Sequence, residues 1–255
     1  MRETVQILAG ESQYIRASYA KPEGELAASM NQMLVIMVHG FPGDKNGQND
    51  IFADIEHGIS DKNYHCLRFD FRGCGASDGQ PEDFSFHSAA EDLDTVLQWA
   101  REKHYKRFVF VCEGLGASLA MMNGTDEALC YVLLWPMVDL PMIAQNTFQA
   151  DEVTEEWKKE GYIPKEDSRV GILLLQQLQN ANMNNVLKEL GKPLLIMHGA
   201  QDEISPIEQL DMFRACAANR RVEITSFHDG THGLPQVNHR KSLFFHMRQF
   251  IEKYS

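Results

Sequence analysis

Long hydrophobic runs are missing from this chain: the longest apolar stretch, Ala128 to Val138, is too short to span a bilayer and contains Pro136. Positive charge is scarce. Against 36 Asp+Glu stand 24 Lys+Arg, a formal net charge of −12, which argues against nucleic acid or membrane insertion because either partner calls for a basic or an apolar surface. Cysteine is sparse and scattered. Cys66, Cys74, Cys112, Cys130 and Cys216 are an odd number with no CxxC pair, a pattern of free thiols in a reducing cytoplasm and not of a disulfide framework or zinc site. The segment from Met1 to Gln6 has no apolar h-region, so no secretory signal is expected. Repeats, charge blocks and low-complexity linkers are lacking. His57, His65, His87, His104, His228, His239 and His246 show no metal-ligand spacing, and no nucleotide-binding motif occurs, so neither metal nor other cofactor is expected.

What is present is an ordinary globular composition, 44% hydrophobic and 24% charged over 255 residues. A chain of this size buries roughly three quarters of its surface on folding. Short apolar blocks predict strands at Val5–Leu8, Tyr14–Tyr19, Leu34–His39, His65–Asp70, Phe108–Cys112, Cys130–Leu134, Leu194–His198 and Val222–Ser226. Amphipathic stretches predict helices at Ser88–Lys103, with Ser88 and Glu91 as a capping box, and at Leu115–Asn123, Pro206–Ala217 and Asn238–Lys253. Strands alternating with helices from residue 34 onward give an α/β class with a mainly parallel sheet, preceded by an antiparallel hairpin. Residues 136–191 break the alternation. They predict a small helical cap of about two helices, Asp151–Glu160 with Val153 and Trp157 on one side and Ser168–Leu178, inserted into a core of residues 1–135 and 192–255.

The polar residues that carry chemistry fall just after strands. His39-Gly40-Phe41-Pro42-Gly43 follows the third strand, and Asp70-Phe71-Arg72-Gly73-Cys74-Gly75-Ala76-Ser77-Asp78-Gly79 the fourth. Gly199-Ala200-Gln201-Asp202 and His228-Asp229-Gly230-Thr231-His232-Gly233 follow the last two. Arg72 and Asp78 are read as stabilisers of their glycine-rich turn, and His198 as a core histidine. An Asp at one strand end and a His past the next is the order of the last two members of a hydrolytic triad. On these motifs the chain resembles the α/β-hydrolase superfamily, and within it the cinnamoyl/feruloyl esterases and monoacylglycerol-lipase-like hydrolases. The resemblance covers nearly the whole chain and is weakest in the insertion. It implies an eight-stranded, mostly parallel sheet, an Asp202–His232 dyad, and an oxyanion hole on the backbone N–H groups of Phe41 and Leu115.

One motif departs from the pattern. The nucleophile elbow G-x-S-x-G falls on Cys112-Glu113-Gly114-Leu115-Gly116, so Gly114 occupies the nucleophile position and offers neither oxygen nor sulfur. Ser118 lies one helical turn away. Cys112, Glu113 and His39 are candidate pocket residues. Cys112 is also read as a packed thiol, Glu113 as a structurally paired carboxylate and His39 as a support of its loop. Met121, Met122, Met137, Met142 and Met183 are read as core filler or as an adaptable apolar lining.

Three functional readings stay open. The first is a ligand-binding pseudo-hydrolase. The second is an active hydrolase or lyase in which His232, held by Asp202, acts as general base on water or substrate. The third is an esterase with a non-standard nucleophile such as Cys112. The expected partner is a small molecule, an ester or carboxylate, and the expected assembly a monomer or homodimer in the cytoplasm.

Overall fold

The apolar blocks of the sequence pair edge to edge. The computed structural model describes residues 1–22, 32–60, 64–147, 155–165, 168–216 and 221–255. Its elements run β1 (Arg2–Ala9), β2 (Gln13–Ala20), β3 (Met33–Val38), α1 (Ile51–Ser60), β4 (His65–Phe69), α2 (Phe86–Glu102), β5 (Arg107–Glu113), α3 (Leu115–Met122) and β6 (Ala128–Leu134). Then follow α4 (Leu140–Thr147), α5 (Glu155–Glu160), β7 (Tyr162–Lys165), β8 (Ser168–Gly171), α6 (Ile172–Asn180) and α7 (Asn184–Glu189). The chain closes with β9 (Leu194–Gly199), α8 (Leu210–Cys216), β10 (Val222–Phe227) and α9 (Val237–Tyr254).

Eight strands form one sheet in the order β1-β2-β4-β3-β5-β6-β9-β10. β1 pairs with β2, and β2 with β4, antiparallel; all later pairs are parallel. All eight predicted strands are present. The sheet is covered on both faces because its central strands are apolar on both. Leu34, Ile36, Val38, Phe108, Phe110 and Cys112 join one core with Ala89, Leu93, Val96 and Leu97 of α2. The alternate residues Val35, Met37, Val109 and Val111 pack on Ile51, Phe52 and Ile55 of α1 and on Leu243, Met247 and Phe250 of α9. This two-residue alternation fixes which side chains of β5 reach which face.

Two helices depart from expectation. The capping box lies one turn earlier than Ser88–Glu91: Ser85 is the N-cap and accepts the Ser88 N–H, while the Ser88 hydroxyl answers the Ser85 N–H. Phe86 and His87 therefore belong to the helix, and Glu91 instead binds Arg72 at 2.8 Å. Helix α1 was not expected at all, although Ile51, Phe52, Ile55 and Ile59 lie buried at helical spacing.

The insertion is richer than two helices. Between β6 and β9 the described residues form four helices and a β7–β8 hairpin. Ser168–Gly171 is a strand, so the predicted Ser168–Leu178 helix begins only at Ile172. Its hydrophobic surplus is mostly used inward: Leu174, Leu175 and Leu178 are buried, and Leu173 alone of that run faces out. Val153 lies outside the described residues; Trp157 packs against the core. The insertion is stitched to the segment before α2, where Gln177 Oε1 accepts the Phe86 N–H at 2.8 Å and Arg169 pairs with Glu82 at 3.0 Å. Gly171 is required there because a Cβ would stand 2.1 Å from the Glu82 carbonyl oxygen.

Candidate functional site

Glu113 ends β5, and His39, Asp70, Asp202 and His232 lie in loops just past other strand ends, at the C-terminal edge of the sheet, the side on which open α/β sheets bind ligands. His232 Nδ1–H donates to the Asp202 carboxylate at 2.8 and 3.0 Å. Asp202 is buried and also accepts the N–H groups of Ile204 and Ser205 at 3.0 and 2.8 Å. The aspartate therefore closes its own turn and orients the imidazole at the same time. The two loops come together because Gly199 and Gly230 touch: a Cβ on Gly199 would lie 2.4 Å from the Gly230 oxygen. His198 is the core histidine expected. Its Nε2–H donates to Ser205 O at 2.7 Å, and burial lowers its pKa.

Gly114 sits between β5 and α3 at φ 51°, ψ −125°, a conformation that L residues rarely adopt. Its N–H donates to Leu134 O, and its carbonyl accepts from Ala117 and Met137. Among the described residues, a Cβ at 114 would meet only the Met137 thioether, with Cε at 3.7 Å and Sδ at 3.9 Å. Space for a side chain exists; the side chain does not. The loop after β3 passes over this turn, so closely that a Cβ on Gly40 would lie 3.5 Å from Leu115 N. The first N–H groups of a helix have no intrahelical acceptor, so the start of α3 presents donors beneath Gly40 and Phe41. The Phe41 ring stacks on Phe84 with centroids 4.4 Å apart. His39 is buried under this loop: Nδ1–H donates to Gly40 O at 2.6 Å and Nε2 accepts the Phe71 N–H at 3.1 Å. Desolvation lowers its pKa, keeping the ring neutral and able to make both bonds. It supports the loop.

A hub unforeseen in the sequence holds the neighbouring turn. Asp70, at the end of β4, accepts Lys45 N and Nζ, both at 2.6 Å, and Ala76 N at 2.8 Å. Gly75 is needed because a Cβ would stand 2.4 Å from the Asp70 carboxyl carbon. Arg72 pairs with Asp92, and Asp78 accepts the Tyr14 N–H and binds Arg16, so both stabilise the turn as expected.

The alternation of β5 separates Cys112 from Glu113. Cys112 packs into the α2 face, fully buried, and desolvation pushes its thiol pKa well up. Exposure and a depressed pKa, the two features that make a cysteine reactive, are both lacking at this thiol. Ser118 is buried too, and its hydroxyl donates to Met137 O. Of the five methionines considered, Met137 reaches the site, Met121 and Met183 are buried in the core, Met142 is half-buried and Met122 is exposed on the surface.

Glu113 turns to the opposite face. Both carboxylate oxygens accept the Gln48 N–H, at 3.1 and 2.9 Å. Burial pushes its pKa up to about 7, partly offset by the Gln48 N–H and the nearby His232. The folded state therefore keeps a proton that the unfolded chain releases near pH 4. Stability supplied by this group is complete below that range and declines as pH rises towards 7. The expected result is that wild type loses roughly 3 kcal/mol relative to Glu113→Gln between about pH 4 and pH 8. Urea unfolding of both proteins across that range measures it, and a pH-independent difference would refute it.

A model of the alpha/beta hydrolase family matches residues 35–253. Among solved structures the chain is similar to ferulic-acid-bound Est1E from Butyrivibrio proteoclasticus, with a TM-score of 0.83 and 19% identity over 98% of each chain. It is also similar to alpha/beta hydrolase domain-containing protein 10 from mouse, with a TM-score of 0.78 and 16% identity over 99% of this chain and 100% of that one. A curated relative, an uncharacterised 31.7 kDa protein from Escherichia coli, is 29% identical over 92 residues, 36% of this chain and 30% of its own length. The chain thus matches less than a third of that relative. At these identities the structural likeness speaks for the fold. Among the described residues no helix is long and apolar enough to cross a membrane, and no group of three or more His, Cys, Asp or Glu is placed to hold a metal ion.

Proposed function

Because this chain belongs to the alpha/beta hydrolase family, we propose that it uses a hydrolase scaffold to bind a small carboxylate or ester without forming an acyl-enzyme. The observation that carries this reading is Gly114, which holds the elbow conformation with no side chain on it. Acyl transfer through a covalent intermediate needs an attacking heteroatom at that point, and a histidine base serves it only by taking its proton. Neither Cys112 nor Ser118 can supply the atom, since both are enclosed.

The rest of the site still suits an oxyanion. The Phe41 and Leu115 N–H groups are the donors to which a carboxylate would bind, and His232, held by Asp202 through Nδ1, keeps Nε2 for the ligand. The ferulic acid bound to the Butyrivibrio proteoclasticus relative is a carboxylate in a similar fold, which supports the same class here. In a thermal unfolding assay, hexanoate should stabilise the wild type, by about 2.7 kcal/mol at a concentration near 100 times its Kd. His232→Ala should lose most of that stabilisation. No stabilisation of the wild type by short-chain carboxylates would refute the reading.

The oriented imidazole favours a second reading, in which His232 acts as general base on water and no covalent intermediate forms. That chemistry predicts slow hydrolysis of p-nitrophenyl butyrate without a burst, abolished in His232→Ala. Hydrolysis unchanged in that variant would remove it.

A further inference from the structure

The residue immediately after β6 is a tryptophan in a left-handed conformation. Trp135 has φ 38°, in a region where glycine or asparagine is at ease and a bulky side chain is strained. Nothing leaves the residue free to relax. Its N–H donates to Met197 O at 2.8 Å, and its carbonyl accepts the Ser205 hydroxyl at 3.4 Å. Ser205 also donates its hydroxyl to Pro136 O at 3.1 Å and its N–H to Asp202 at 2.8 Å. Two residues on, the Met137 N–H donates to Gly114 O at 3.0 Å. The segment 135–137 is thus tied to the turn that holds Asp202 on one side and to the elbow on the other.

The indole that this backbone directs inward is fully buried and meets the His232 ring, with centroids 6.0 Å apart and planes at 60°. Asp202 grips only Nδ1, which leaves the imidazole free to swing about that contact. A second, edge-on contact with the ring restricts that freedom. We propose that Trp135 is the positioning residue for His232, and that the strained backbone at 135 is retained because it presses the indole onto the imidazole. The inference deepens the functional reading above, since a positioned His232 matters only if that site is used. Charged or titratable groups around His232 are Asp202 in direct contact, with Glu113 and His198 acting at longer range.

The test is nitrogen NMR of histidine-labelled protein. In the wild type, neutral His232 should give one sharp signal set for the Nδ1-protonated tautomer. Trp135→Phe, which keeps a ring, should preserve it. Trp135→Leu should lose it, with averaging of the two tautomers, while His198, held by Ser205, keeps its own signals and reports an intact core. A His232 spectrum unchanged in Trp135→Leu would overturn the proposal; so would equal disturbance of His198, which would make Trp135 a general core residue. Should Trp135→Leu fail to fold, the wild type serves instead. Its His232 ring protons should show nuclear Overhauser contacts to the Trp135 indole and ring-current shifts from it. Absence of both would overturn the contact. Neither measurement involves a ligand, so failure of hexanoate to bind would refute the functional reading without deciding this one.

Discussion

Gly114→Ser should turn a protein that fluorophosphonates leave unmodified into one that they label stoichiometrically at residue 114. The hydroxyl would enter a prepared place: among the described residues, the only side chain near its Cβ is the Met137 thioether, at ordinary van der Waals distance. Donors at the start of α3 would lie next to it, with an imidazole oriented by Asp202 on the adjoining loop. The change carries a cost. At φ 51°, ψ −125° a serine pays backbone strain of about 1–3 kcal/mol that glycine avoids, so the variant should melt several degrees lower while gaining reactivity. Loss of stability separates this outcome from a serine that merely relaxes the turn. Intact mass after probe treatment, together with a melting curve, reads both effects. A variant as stable as the parent would show that the turn is not held in the elbow conformation.

Gly116→Ala, two residues further on, should be far worse. Its Cβ would stand 2.3 Å from His39 O and 2.5 Å from Val38 O. These are main-chain atoms at the end of β3, a fully buried central strand, and they cannot step aside as a side chain could. Overpacking of this kind against fixed backbone should cost at least about 3 kcal/mol and leave little soluble protein. Gly114→Ala supplies the contrast, since it meets strain without a clash. Chemical denaturation of the two alanine variants compares them directly; equal losses would mean that α3 does not lie against the β3 end as described. The two glycines of one short motif thus do different work. Gly114 supplies a backbone conformation, whereas Gly116 supplies the absence of volume that lets helix and loop touch.

Much of this was legible because burial on both faces writes a strong signal. Strands such as Met33–Val38 and Leu194–Gly199 are continuous apolar blocks, and their order with the helices between them fixes the class. The hydrophilic loops were readable for the same reason, since each follows a block whose end is sharp. The insertion was not. Ser168–Gly171 precedes the leucine run without a break in sequence, and only pairing with Tyr162–Lys165 and the close approach of Gly171 to Glu82 make it a strand. Such non-local contacts leave no periodicity. The α2 start was displaced because Ser85 and Ser88 cap each other, whereas the Ser88–Glu91 spacing imitates the usual box. Asp70 was passed over as an ordinary strand end; its role comes from Lys45, distant in the chain. Trp135 carried no signal at all, because backbone strain at a tryptophan cannot be inferred from residue type.

The missing heteroatom at the elbow is tested most directly by mass spectrometry of the unmodified wild-type chain after exposure to an excess of a fluorophosphonate. The predicted spectrum contains the parent mass alone, with no adduct at any serine or cysteine. A stoichiometric adduct that disappears on His232→Ala would contradict it, by revealing a nucleophile served by that imidazole.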